Sequence, residues 1–148
     1  MSIKTAIVSS ILAIAILGLI LFLYMKQTPL PEEKAATYSA FRFEVADSAA
    51  EHEQGLSGRT EVKPGNGLLF IFDRHDRYGF WMKDMLISID IIWLADDGTI
   101  LEIEEGVSPD TYPTPFYPPR PVKFVLETRV GEAKAQGWTV GTRIPLPE

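Results

Sequence analysis

The chain has 148 residues, a formal net charge of −6, no cysteine and a hydrophobic fraction of 46%. That length supports one soluble domain with a single core, and the missing cysteine removes disulfides, thiolate nucleophiles and thiolate metal sites. From residue 35 onward 11 lysines and arginines face 18 aspartates and glutamates, a net of −7, which makes the chain a poor partner for nucleic-acid phosphates or anionic lipid headgroups.

Residues 1–5 are a short head carrying Lys4, and residues 6–23 are an apolar run followed by Lys26. Twelve of those 18 residues are Ile, Leu, Val or Phe. As a helix the run would reach about 27 Å, close to the hydrocarbon thickness of a bilayer. Its apolar side chains favour insertion by roughly 5 kcal/mol. A core helix in so small a chain would show a polar face, and this run shows none, so residues 6–25 are predicted to be a transmembrane anchor. The following Tyr24-Met25-Lys26-Gln27-Thr28-Pro29 lacks the small-residue pair that signal cleavage needs, so the anchor is expected to be retained. Lys4 on one side nearly balances Lys26 and Lys34 on the other. The short charged head before the run has the form of a signal-anchor. It predicts a single-pass protein of the cell membrane with its soluble part outside the cytoplasm. Residues 26–40, with Pro29 and Pro31, read as a solvated tether to a soluble domain at 41–148.

Within that domain, Phe41-Arg42-Phe43-Glu44-Val45 alternates as a half-buried strand does. Ser48 and Glu51 have capping-box spacing and open a short helix that ends near Gly58. Residues 67–72 are apolar on both faces, as in a central strand, and the charged residues 73–77 read as a hairpin end. Residues 78–82 resume a strand pattern. Residues 88–95 form another strand, with Ile89, Ile91 and Trp93 on one face and Asp90, Ile92 and Leu94 on the other. Asp96-Asp97-Gly98 is a turn signal, and residues 99–107 pair back from it. Residues 108–121 hold six prolines, and residues 122–127 form a further strand. A helix is expected at 130–136, closed by Gly137, and a last short strand at 142–146. The expectation is an α+β, mainly β domain: a curled sheet or small barrel of six or seven strands with two short helices, preceded by one transmembrane helix.

The stretch from Gly55 to Gly98 contains Gly55-Leu56-Ser57-Gly58-Arg59, Gly67-Leu68-Leu69-Phe70, Phe80-Trp81-Met82-Lys83-Asp84, Ile89-Asp90-Ile91 and Asp97-Gly98. Val125-Leu126-Glu127, Gly131, Gly137 and Gly141 follow. This ordered set resembles the family called domain of unknown function 192 over residues 41–144. Leu68 stands where that family usually has methionine, Asp84 where it has asparagine, and Ser88 where it has proline. The resemblance implies a compact β-rich fold, often behind a signal or anchor, and supplies no settled activity or catalytic role.

Asp90 lies in a strand that is apolar on both faces, so burial is expected, with Arg59 or Lys83 as its compensating cation. The reading as a structural ion pair stands beside a ligand or catalytic role, and Glu127 divides the same way. Asp84 makes its block more acidic. Trp81 projects opposite Phe80 and Met82, either as core or as an aromatic platform for a sugar or peptide side chain. Tyr112, Phe116 and Tyr117 are displayed on the proline-rich loop, which is either a lid on the sheet or a recognition surface. His52 and His75 lack the paired spacing of a zinc site, no serine has a nucleophile-elbow setting, and neither a metal nor a cofactor is expected. The leading reading is a membrane-anchored module that binds a cell-envelope glycan, peptide or protein through Arg59, Trp81, Lys83 and Asp90, with the proline-rich loop alongside. The alternatives are a small hydrolase or lyase using Asp90 and Glu127 as a carboxylate pair, and a structural component of an envelope complex.

Overall fold

A computed structural model describes residues 41–147. The predicted anchor and tether lie outside them. Among the described residues, no helix is long and apolar enough to cross a membrane.

Five strands form one sheet: β1 (Arg42–Ala46), β2 (Asn66–Asp76), β3 (Ile89–Leu94), β4 (Ile100–Val107) and β5 (Val122–Arg129). Their order is β1-β2-β5-β3-β4. The β1–β2 pair is parallel and all the others are antiparallel. β1 and β4 do not meet, so the sheet is open and no barrel closes. Two of the expected strands are absent. Residues 78–82 contribute one bridge, Phe80 to Phe116, and residues 142–146 contribute one, Thr99 to Arg143. The charged residues 73–76 are no hairpin tip but continue β2 past a register shift.

The two helices are short. α1 (Ala49–Gln54) starts at the predicted capping box, with Ser48 accepting from the Glu51 N–H and the Glu51 carboxylate accepting from the Ser48 N–H. α2 (Glu132–Gln136) lies between Gly131 and Gly137, both at positive φ. One helix covers each face of the sheet. On the first face Leu56, Leu68, Phe70, Met82, Ile91 and Trp93 share a core. On the second, Leu69, Ile92, Leu94, Leu126, Ala133 and Trp138 share another. β3 is buried along its whole length, because apolar side chains alternate onto two covered faces.

Candidate functional site

The first face holds a cavity of about 320 Å³, within the range of small-molecule sites. Its floor is Glu127, on β5 between Leu68 of β2 and Ile91 of β3. The residue is 5% exposed, and its buried Oε2 has no hydrogen-bond partner. Burial pushes the carboxyl up to about 8, against smaller opposing effects from the Leu56 N–H and the Arg59 charge. Trp93 and Trp138 also bury unpartnered N–H groups, but neither lines this cavity. Gly55 packs against the buried carboxyl with backbone alone. A Cβ there would lie 3.5 Å from Oε2 and 3.4 Å from the Phe70 ring, at a backbone φ of 49° that L side chains rarely adopt.

The walls are aromatic. Phe70 and Phe80 meet edge to face at 4.9 Å, and Tyr78 stacks on Phe72 with ring centroids 3.6 Å apart. His52 of α1 is half-buried, and its ring lies 4.3 Å from that of Phe72. Its Nε2 is 3.0 Å from the Ala46 carbonyl oxygen and 3.1 Å from that of Ile71, two acceptors, so Nε2 carries a proton. Trp81 stands at the mouth, 54% exposed, while Phe80 and Met82 are buried on the opposite side of their segment.

The proline-rich loop backs this wall. Phe80 and Phe116 exchange two backbone hydrogen bonds of 2.8 and 2.7 Å. Tyr117 packs against Gly79 so closely that a Cβ there would lie 2.8 Å from its ring. Arg77 Nε donates to the Pro118 carbonyl at 3.0 Å. Tyr112 reaches the edge of Trp81, with ring centroids 6.4 Å apart. The loop therefore holds the Tyr78–Met82 segment in place, and the pocket gains a firm side.

The other predicted residues are elsewhere. Arg59 makes a bidentate pair with Glu44 at 3.1 and 2.7 Å and holds that carboxyl below its usual range. A partly exposed pair of this kind contributes no more than about 1 kcal/mol. The Lys83 side chain is exposed, and its carbonyl accepts from Ser57 Oγ at 2.8 Å. Asp84 sits at a φ of 56°, a left-handed position that favours Asn and Asp, and its carbonyl accepts from the Gly58 N–H at 2.9 Å. That backbone geometry accounts for an asparagine-like residue at position 84 without any ligand.

Asp90 is fully buried as expected, but its cation is not there. Its oxygens accept from three backbone N–H groups: Gly106 at 2.9 Å, Gly131 at 3.2 Å and Ala133 at 3.2 Å. It points to the second face, toward α2, whereas Glu127 points to the first. The two carboxyls are separated by the sheet and form no pair. Beside Asp90, Glu132 is buried as well. Burial pushes its carboxyl up, but donors from Gln136, Arg129 and the Gly65 N–H outweigh this and hold it below the ordinary range. Among the described residues, no cluster of three or more His, Cys, Asp or Glu side chains is placed to hold a metal ion.

The family model described as an uncharacterized ACR, domain of unknown function 192, matches residues 30–146. The chain belongs to that family. Two solved structures share the fold of this DUF192 domain. One is a protein from Sinorhizobium meliloti 1021, provisionally named a transcription regulator, at 34% identity and a TM-score of 0.65. That match covers 68% of this chain and 78% of the other. The second, from Novosphingobium aromaticivorans DSM 12444 and of unknown function, is 33% identical with a TM-score of 0.66, covering 70% and 73%. No curated protein matches. The family block around Trp81-Met82-Lys83-Asp84 thus builds one wall of the cavity, through its backbone as much as through its side chains.

Proposed function

We propose that this DUF192 protein is a membrane-anchored binding module for a cell-envelope glycan, peptide or protein, and that its site is the cavity above Glu127. The observation that carries the reading is a buried carboxyl oxygen without a partner on the floor of an open aromatic pocket. An unmet polar group of that kind costs about 1 to 3 kcal/mol, and a bound ligand that pairs with it removes the cost. The hydrolase or lyase reading loses its carboxylate pair, since Asp90 is sealed on the far face of the sheet. The regulator role attached to the S. meliloti relative finds no support in a surface this acidic, if direct phosphate contact is meant.

The site is tested with a panel of sugars, short peptides and small polar fragments, read by saturation-transfer NMR on the full chain. Ligands that bind are expected to weaken about tenfold in Trp81→Ala, which removes one aromatic wall, and to bind unchanged in Lys83→Ala and Asp84→Ala. Equal binding in Trp81→Ala and the parent would place the site elsewhere.

The anchor has its own test. The full chain is expected to stay in the membrane pellet through an alkaline wash, with a mature N-terminus upstream of residue 6. Residues 41–148 alone should be recovered as a folded monomer in the supernatant. A mature N-terminus near Thr37, or a truncated chain that only aggregates, is the opposing result.

A further inference from the structure

The cavity above Glu127 is acidic as well as aromatic. Glu127 lies at its floor and Glu53 on its lining, and no lysine or arginine lines it. The nearby Arg59 is engaged by Glu44. His52 commits its Nε2 proton to the Ala46 and Ile71 carbonyls, and the Tyr78 hydroxyl donates to the Arg74 carbonyl at 2.9 Å. The Gln54 amide donates to the Ser57 carbonyl and the Ser57 hydroxyl to the Lys83 carbonyl. The Leu56 N–H favours the ionised carboxyl, yet Oε2 has no hydrogen-bond partner.

Each class of ligand group can be weighed against this lining. An anionic group could accept from the Glu127 carboxyl only while that carboxyl is protonated, and it would face Glu53 and no cation. A neutral hydroxyl would satisfy Oε2 but gain nothing from the charge-attracting ring faces of Trp81, which is exposed at the mouth. A quaternary ammonium would gain from those faces but bring no N–H to Oε2. A primary ammonium on an alkyl stem does both, with its charge against the rings and its donors at the carboxyl.

We infer that the cavity is a receptor for a primary alkylammonium group, such as a lysine side chain or another envelope amine, seated on Glu127 among the aromatic walls. This rests on the cavity being the binding site proposed above. The Leu56 N–H and the Arg59 charge act on the Glu127 proton against burial, and the other titratable groups lining the cavity are Glu53 and His52 of α1 and Tyr78. Near neutral pH the carboxyl is protonated. Entry of the ammonium forms a carboxylate–ammonium pair and sends the displaced proton to solvent.

The experiment is calorimetric titration of the full chain, in nonionic detergent, with n-butylammonium, tetramethylammonium and 1-butanol as probes. The butylammonium ion is expected to bind at least about tenfold more tightly than either of the others above pH 8, where the carboxyl is ionised without ligand. At pH 7, titrations in two buffers of different ionisation enthalpy should show about one proton released per ligand bound. Its affinity should rise by nearly tenfold per pH unit up to about pH 8 and then level off, because only the ionised fraction is competent. Glu127→Gln should lose about tenfold or more for butylammonium while keeping its affinity for 1-butanol. Equal or tighter binding of 1-butanol above pH 8, or undiminished butylammonium binding by Glu127→Gln, overturns the ammonium assignment and leaves the pocket standing. No saturable binding of any probe by the folded chain overturns both.

Discussion

Asp90→Ala is expected to lower the melting temperature by roughly 15 °C or more, or to prevent folding, although it removes no salt bridge. The Asp90 carboxyl gathers the N–H groups of Gly106, Gly131 and Ala133, which tie the end of β4 and the start of α2 to the middle of the sheet. Alanine would strand those donors beside a cavity, at a cost of about 3 to 4 kcal/mol. In a domain of this size each kcal/mol moves the midpoint by about 4 to 8 °C. Asp90→Asn is expected to fall between, because its amide oxygen can still accept while its NH2 group meets a donor. Arg59→Ala and Lys83→Ala should melt within a few degrees of the parent, since neither cation faces Asp90. A loss on Arg59→Ala as large as that on Asp90→Ala would restore the ion pair and refute the backbone account.

The second expected result is a stability that falls as pH rises through a range where most proteins are steady. Glu127 has its carboxyl pushed from 4.5 to about 8 in the folded domain, whereas the unfolded chain releases that proton near its ordinary value. Between those two values the folded state binds more protons than the unfolded one. The contribution is therefore complete below about pH 4.5 and is lost progressively up to about pH 8. Its full size is on the order of 5 kcal/mol. Glu44 and Glu132, both held below their ordinary values, act in the opposite sense but only at lower pH. Comparison with Glu127→Gln isolates the effect, because every other titrating group cancels. The variant should match the parent near pH 5 and exceed it by several kcal/mol at pH 9, with correspondingly separated melting curves. Parallel curves from pH 5 to pH 9 would mean that Glu127 is already ionised and partnered.

Much of this domain could be read directly. The alternation of residues 41–45, the Ser48–Glu51 capping box, the two-faced pattern of β3 and the Asp96-Asp97-Gly98 turn all report local physics, and each appears where local physics places it. The misreadings arise where tertiary structure overrides a local signal. Residues 78–82 and 142–146 carry strand-like apolar spacing because they plug the two open faces of a sheet, not because they pair along it. The burial of Asp90 was legible in its apolar neighbours. The donors it uses were not, since backbone N–H groups at Gly106, Gly131 and Ala133 leave no trace in side-chain chemistry. Glu127 and Trp81 were among the candidates, but Gly55, His52, Phe72 and Tyr78 were missed. They come from three separate stretches, and the only hint was a glycine ahead of Leu56 and an aromatic at every second position from Phe70 and Tyr78.

The openness of the sheet bears on how copies of this domain behave when crowded. An open sheet has two outer strands whose unpaired backbone invites a neighbour, the geometry from which fibres grow. Here β1 is only five residues long and alternates Arg42 and Glu44 with its apolar side chains. The start of β4 is capped by the chain itself, through bonds from the Ile100 N–H to Thr142 and from the Gly141 N–H back to Ile100. What remains of β4 bears Glu102, Glu104 and Glu105. A second copy aligning there would bring like carboxylates opposite one another. Carboxylates on both outer strands thus stand where mutual templating would begin, and they oppose the zipping together of neighbouring copies.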